Sequence, residues 1–420
     1  MSSGAHPDAE DAASSGPRQA VAPGRDGGEG KSGVAGGGLY RALFALVLAR
    51  LPPEGAHRLA ALTLRAAVRT PGCKRLLARH LGPRDPVLEV RALGLTFPSP
   101  LGVAAGVDKD GSWFEGLGHL GFGFVEVGTV TARAQRGNPK PRVFRLRRDR
   151  ALLNRMGFPN PGARALAARL ERRRGREPIV GVNVGKGIAT PIELAGEDYR
   201  AAVREVAPAC DYLVLNVSSP NTPGLGELQA VELLRPLIAG VRREVAERAP
   251  GVPLLVKIGP DISEARIDAV ADLALELGLA GIVAVNTTAD RDGLADADAV
   301  ARVQGGGISG PPLRARAVEV LERLYGRVGE RLVLISVGGV ETAADAWERI
   351  VAGATLVQAY TGFVYGGPGW PARVNAELAR RTREAGPGSI QEIVGLAVRP
   401  GHGKIKTPAN APSHRTGAST

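Results

Sequence analysis

Eight short apolar, β-prone runs recur between residues 101 and 362, most of them separated by stretches of helical periodicity. No other feature of the chain constrains its fold as tightly. The runs are LGVAAGV (101–107), FGFVEVGTV (122–130), IVGVNVG (179–185), DYLVLNVSS (211–219), PLLVKIG (253–259), GIVAVNT (281–287), RLVLISVGG (331–339) and TLVQAYTG (355–362). Intervening segments such as ELQAVELLRPLIAGVRREVAERA and SEARIDAVADLALELG repeat apolar residues three and four positions apart, the spacing of one helix face. Strand–helix units in that number predict an α/β fold, a closed (β/α)8 barrel over residues 83–385. A doubly wound sheet usually has fewer strands, and it needs a phosphate-binding glycine fingerprint after the first of them. LGVAAGVDKDG does not supply one.

The segments flanking the barrel differ in composition. Residues 1–38 are rich in Gly, Ala, Ser and Asp without apolar periodicity, and predict a disordered leader. Residues 386–420 predict a largely disordered tail after one short apolar patch, IVGLAV. Between leader and barrel, residues 39–82 predict a helical extension: LYRALFALVLAR ends at Pro52-Pro53, and PEGAHRLAALTLRAAV begins with Pro in its first turn. This segment holds eight basic side chains against Glu54 alone, much of the excess behind the formal net charge of +12. An apolar helix pair rimmed by Arg suits a membrane surface, whereas the same pattern also suits a cap packed on the barrel. The pattern leaves both open. The segment LEVRALGLTF predicts a hairpin before the first barrel run.

Several function classes are disfavoured. The basic residues alternate with apolar ones and match no nucleic-acid motif, so no nucleic-acid partner is expected. Cys73 and Cys210 are too few for a disulfide framework and fit a reducing, cytosol-facing protein. The longest apolar run, Leu39 to Leu51, is interrupted by Arg41 and Arg50 and is too short to span a bilayer. The six histidines are scattered, and no metal site is expected.

In a (β/α)8 barrel the C-terminal strand ends carry the site. Here they are Asp108-Lys109, Thr129, Asn183 with Lys186, Asn216 through Asn221, Lys257, Asn286-Thr287, Gly338-Gly339 and Tyr360-Thr361, with Asn154 on the long excursion after the second strand. Lys and Asn are poor strand formers, so their recurrence at four strand ends points to a ligand-binding rim. Asn amides suit a planar ring bearing amides and a carboxylate, and fixed lysines supply positive charge where negative charge develops. The glycines at 306–307, 310 and 338–339 fall where late barrel loops often bind phosphate. Ser218 and Ser219, within NVSSPNTPG, offer a hydroxyl that could serve as a base.

These motifs together, NVSSPNTPG with AAGVDKDG, EVGTVTAR, NPKPRVFRL, NRMGF, GVNVGK, NTT, GGISG, VGGV and LVQAYTG, resemble the class 2, quinone-dependent dihydroorotate dehydrogenases across about residues 100–365. The segment around His57 also resembles the N-terminal membrane extension of that class. The resemblance implies an FMN enzyme that oxidises dihydroorotate to orotate in pyrimidine synthesis and reduces a membrane quinone. It implies Ser219 as the base at substrate C5, with hydride passing from C6 to the flavin. Substrate contacts would come from Lys109, Asn154, Arg155, Met156, Gly157, Phe158, Asn216, Asn221, Asn286 and Thr287. Cofactor contacts would come from Ala105, Gly106, Val107, Asp108, Lys109, Thr129, Asn183, Asn216, Lys257, Val285, Gly310, Gly339, Tyr360 and Thr361. His57, Arg145 and Tyr360 would line the quinone passage. A monomer held peripherally on the cytoplasmic side of the cell membrane, at the inner leaflet, is the implied setting. The chain departs from the family at Gly226, where an Arg is usual, and at Val285, Ser336 and Pro159, in place of Thr, Gly and Asn.

Overall fold

In the computed structural model, which describes residues 36–398 apart from positions 84, 174 and 176, eight parallel strands close into a barrel. They are Leu101–Val103, Phe124–Val130, Ile179–Val184, Tyr212–Asn216, Leu254–Ile258, Gly281–Ala284, Val333–Val337 and Leu356–Ala359, the first to eighth barrel strands below. Each pairs with its neighbour in sequence, and the eighth closes on the first with Val357 opposite Leu101. The eight predicted runs are these eight strands. Their continuous apolar character follows from burial on both faces: the second to fifth strands are buried at every residue.

The N-terminal end of the barrel is filled by aromatic rings. Phe124 packs edge-on against Phe97 at 5.3 Å between ring centres and against Tyr212 at 6.4 Å. Gly102 and Gly181 make room for these rings; a Cβ on Gly181 would lie 2.0 Å from the Tyr212 ring. With that end plugged, the opening lies at the C-terminal strand ends. The predicted hairpin, Val90–Ala92 with Leu95–Phe97, supplies Phe97 to the plug. A three-stranded antiparallel sheet stands beside the opening, formed by Val143–Leu146, Ala151–Asn154 and Gly307–Ser309. It has its own small core around Leu146, Leu153 and Ile308, and sets Asn154 opposite Gly307.

The extension comprises helices Gly36–Leu43, Pro53–Arg69 and Pro71–Leu81, with a widened turn at Phe44–Leu48. Proline again opens the second helix, as the pattern predicts. One face packs on the barrel: Leu64 covers Gly116, where a Cβ would lie 2.6 Å from it. The opposite face leaves Leu43, Leu46, Val47, Leu59, Leu62 and Leu76 exposed, Leu62 to 60%. Among the described residues no helix is long and apolar enough to cross a membrane.

The short apolar patch that follows the last barrel helix packs on the barrel. Ile390, Ile393 and Val394 are buried, and the N–H groups of Gly395 and Ala397 donate to the carbonyls of Ile350 and Val351 at 3.0 and 2.9 Å. The IVGLAV patch has enough apolar surface to dock on the helix Ala343–Val351. Residues 1–35 and 399–420, the bulk of the predicted leader and tail, lie outside the described residues.

Candidate functional site

A cleft with about 1150 Å3 of atom-free space, partly open to solvent, lies at the C-terminal ends of the barrel strands. Every strand end except the third contributes to its wall: Ala104 to Gly106 with Lys109, Thr129, Asn216 with Ser219 and Asn221, Lys257, Val285 to Thr287, Val337 to Glu341, and Gln358 to Gly362. The excursion after the second strand adds Asn154, Met156, Gly157 and Phe158, and the loop after the sixth adds Ser309 and Gly310. The rim read from strand ends is thus brought together almost whole.

Beneath this wall runs a chain of buried polar groups. Asn286 Nδ2 donates to Ser218 Oγ at 3.0 Å and to Asn216 Oδ1 at 3.2 Å. Asn216 Nδ2 donates to Thr129 Oγ1 at 3.0 Å and Asn183 Oδ1 at 3.1 Å, and Asn183 Nδ2 donates to Glu126 Oε1 at 2.8 Å. Gln358 Nε2 donates to the other Glu126 oxygen at 2.6 Å. Such a network fixes each amide's orientation, since leaving any buried member unpaired costs about 1–3 kcal/mol. Across the cleft mouth, Asn221 Nδ2 donates to Asn154 Oδ1 at 3.1 Å, and Asn154 Nδ2 to Gly307 O at 3.2 Å.

The Tyr199 hydroxyl anchors this network from outside the barrel, donating to the Asn216 carbonyl at 2.6 Å. Tyr199→Phe is expected to cost about 1–3 kcal/mol of stability by stranding that carbonyl. Thermal unfolding of the two proteins, with a lower midpoint for the variant, checks it.

Ser219 is buried in the loop after the fourth strand, and its Oγ accepts the Asn221 N–H at 3.2 Å. A second cavity lies on the far side of this loop, lined by Ser219, Thr222, Gly226, Gln229 and Arg266 among others. Ser219 therefore touches both spaces. At Gly226 a Cβ would meet nothing within 4 Å, so the loop is held otherwise: Gln229 accepts the Gly259 N–H at 2.8 Å and donates to the Gly226 carbonyl at 3.3 Å. Ser336, another of the four departures, accepts from Arg349 Nη1 at 3.3 Å. Arg349 is fully buried, and its Nη2 donates to the Gly338 carbonyl at 2.8 Å, while Arg314 Nε donates to that of Gly339 at 3.3 Å. Two arginines thus brace the glycine pair, whose left-handed φ of 114° and 76° admits no other residue without strain.

Two lysines face the cleft. Burial pulls the Lys257 ammonium below its usual range, the Glu126 carboxylate opposing that, and it makes no ion pair among the described residues. Burial and then Arg142 lower Lys109 to about 8, so its charge is mostly present at neutral pH. Lys109 donates to the Gly106 carbonyl. Burial raises the Tyr360 hydroxyl to about 12, and the phenol stays neutral.

Not every expected residue reaches the cleft. Val107 and Asp108 do not line it: the Asp108 carboxylate accepts the Ser112 and Trp113 N–H groups at 2.9 Å each, which ties it to the following turn. Asn183 stands one hydrogen bond behind, acting through Thr129 and Asn216. Arg155 points away and donates to Gln304 O at 3.4 Å. Lys186 is held by the Gly187 and Thr190 carbonyls at 3.0 and 2.6 Å, outside the cleft. His57 and Arg145 lie where the extension meets the barrel. The His57 ring sits edge-on to Trp113 at 5.3 Å, and burial depresses its imidazole to about 4, so it is neutral. Arg145 donates to Leu51 O at 2.8 Å and lies over the Phe44 ring at 5.9 Å.

Glu126, Gln358, Leu152, Val143 and Glu341 belong to the site or its support without having been singled out from sequence. A lone Glu within FGFVEVGTV and a lone Gln within TLVQAYTG were legible signals, since a buried polar group in a strand must have a partner. Among the described residues no group of His, Cys, Asp and Glu is placed to hold a metal ion.

The residues fit a flavin. Asn221 Oδ1 is buried at the cleft wall without a hydrogen-bond partner among the described residues, and the Lys257 ammonium faces the same space without an ion pair among them, as expected of groups kept for a ligand rich in ring N–H and carbonyl groups. A sequence profile described as dihydroorotate dehydrogenase matches residues 87–382. The chain is 58% identical over 357 residues to dihydroorotate dehydrogenase (quinone) of Mycobacterium tuberculosis strain H37Rv, covering 85% of this chain and 98% of that one. It is 55% identical over 367 residues to the enzyme of that name from Thermobifida fusca, covering 86% and 97%. Its fold is similar to the crystal structure of an Eimeria tenella dihydroorotate dehydrogenase in complex with ferulenol, with a TM-score of 0.74 and 36% identity over 86% of this chain and 99% of that one.

Proposed function

The chain belongs to the dihydroorotate dehydrogenase family, and on that premise we propose how its cleft performs the reaction. That reaction is oxidation of dihydroorotate in pyrimidine biosynthesis with a quinone as electron acceptor. The observation that carries the reading is the convergence of Ser219, three carboxamides (Asn154, Asn221 and Asn286) and two lysines, Lys109 and Lys257, on one cleft.

Asn154, Asn221, Asn286 and Thr287 hold the planar ring of the substrate, and Lys109 faces its carboxylate. Ser219 Oγ takes the proton from C5 as the hydride leaves C6 and the C5–C6 double bond forms. The Asn221 N–H donated to Oγ at 3.2 Å stabilises negative charge on that oxygen, which a serine needs because its own pKa is high. The proton can leave through the second cavity, which Ser219 and Thr222 both line. A bound FMN would supply the acceptor for that hydride and the route of its electrons to the quinone. Lys257, Thr129 and the amides near Gly339 and Gly310 would hold it, with Lys257 facing the cleft to balance negative charge developing there. His57, Arg145 and Tyr360 border the quinone's path beneath the extension.

Anaerobic addition of dihydroorotate to the purified protein tests this. The visible flavin band is expected to bleach and to return with a quinone but not with NAD or fumarate. A yellow protein that does not bleach, or a colourless one that takes up no FMN, overturns the assignment.

The exposed leucines of the extension and its eight basic side chains support peripheral attachment to the cytoplasmic face of the cell membrane, where the quinone is dissolved. Leu62→Glu is expected to lower co-sedimentation with anionic vesicles about tenfold by placing a charge in the apolar face. Flavin bleaching by dihydroorotate should be untouched by that change.

A further inference from the structure

Glu54 belongs to the extension, in the first turn of the helix Pro53–Arg69, yet its carboxylate is committed to the barrel. It accepts from Arg142 Nε at 3.2 Å and from Arg142 Nη2 at 3.1 Å, and the Arg142 side chain is almost wholly buried. A forked pair of this kind fixes the guanidinium in direction as well as position. The remaining arm of Arg142, Nη1, donates to the carbonyls of Arg136 at 2.7 Å and Asn138 at 3.2 Å. Asn138 Nδ2 donates onward to the carbonyls of Arg155 at 3.0 Å and Asn221 at 3.4 Å, and the Arg155 N–H returns to the Arg142 carbonyl at 2.8 Å. Arg155 follows Asn154, and Asn221 gives its N–H to Ser219. Three bonded links thus join the membrane-facing extension to both sides of the substrate pocket.

Charge runs along the same route. Arg142 disfavours the protonated form of Lys109, and Glu54, Asp108 and Asp110 favour it. His57, which borders Lys109 from the extension, is neutral and adds no charge.

We propose that Glu54 is a positioning residue for the dihydroorotate half of the reaction, acting through Arg142 and Asn138 on Asn154, Asn221 and Ser219. The extension then serves as scaffold for the substrate as well as passage for the quinone. This rests on the reading of the cleft as the dihydroorotate site, and the wild-type protein supplies the control: if its flavin is not bleached by dihydroorotate, that reading fails and not this one.

The experiment is anaerobic stopped-flow bleaching of flavin-loaded wild type, Glu54→Gln, Glu54→Asp, Asn138→Ala and the Glu54→Gln/Asn138→Ala double variant. Glu54→Gln is expected to raise the dihydroorotate concentration for half-maximal rate about tenfold, with the limiting rate within about twofold. Glu54→Asp should restore most of that loss. The alkaline limb of dihydroorotate saturation, set by Lys109 near 8, should move to lower pH in Glu54→Gln, because removing a nearby carboxylate makes the ammonium easier to deprotonate. The double variant should be little worse than the worse single one, as for residues on one path. Unchanged saturation and pH limb in Glu54→Gln, additive losses in the double variant, or a defect confined to quinone reduction each overturn the proposal. Should Glu54→Gln fail to hold flavin, Glu54→Asp with Asn138→Ala decides on the same criteria.

Discussion

Ser219→Ala is expected to bind flavin like the parent and to be reduced by dihydroorotate about 100- to 10,000-fold more slowly, the usual contribution of a positioned base. The change removes one oxygen from a buried loop whose shape is set elsewhere, by the Gln229 bonds to Gly226 and Gly259 and by the Asn221–Asn154 amide pair. Flavin affinity and the unfolding midpoint should therefore stay close to the parent's. The loss should appear in the limiting rate of bleaching, since Ser219 acts on the proton and not in holding the ring. Its neighbour gives the contrast. Ser218 Oγ accepts from Asn286 and donates to Asn216, so Ser218→Ala should disturb binding more than chemistry. Rapid bleaching of Ser219→Ala would remove Ser219 from the role of base.

Lys257→Met should be the other large effect. Lys257 is 5% exposed, makes no ion pair among the described residues and faces the cleft, so its charge is held ready for negative charge arriving there. A preorganised charge in a dry site is worth about 100- to 1000-fold in rate, and flavin reduction should slow by that order. The reduction potential of the bound flavin should fall in parallel, since the variant loses the cation that favours the reduced form. Lys186→Met is the control. Lys186 is a buried lysine at a strand end, but it is spent on the Gly187 and Thr190 carbonyls, and its loss should appear in stability and leave the potential unmoved. Equal potentials in Lys257→Met and the parent would show that Lys257 does not act on the flavin.

The two lysines illustrate how far sequence reasoning reached. Both stand at the C-terminal ends of apolar runs in a chain that otherwise prefers Arg, and both were read as rim residues. Their place relative to the strand end separates them: Lys257 is still within the fifth strand, where alternation turns its side chain to the cleft, whereas Lys186 lies past the end of the third, where it closes a turn. Asp108 misleads in the same way. It adjoins Lys109, which lines the cleft, but its carboxylate caps the next helical turn through two backbone N–H groups. A periodicity of two along a strand says which residues share a face, and it stops saying so where the strand becomes a loop.

The sequence by itself determined the eight-stranded barrel, the breaks at Pro52 and Pro53, the end of the barrel that carries chemistry, and most side chains of the cleft. These follow from local causes: apolar runs of strand length, helix periodicity between them, and polar residues where a buried strand should end. Tertiary structure alone decided what depends on partners distant in the chain. Glu126 is an anomaly in its strand until Asn183 and Gln358 meet it, and Glu54 is an ordinary first-turn acid until Arg142 arrives from the far side of the first two strands. A strand or a helix is specified by its own few residues. A buried charge is specified by whatever the fold brings within hydrogen-bond reach, because burying it unpaired costs more than a local preference can offset.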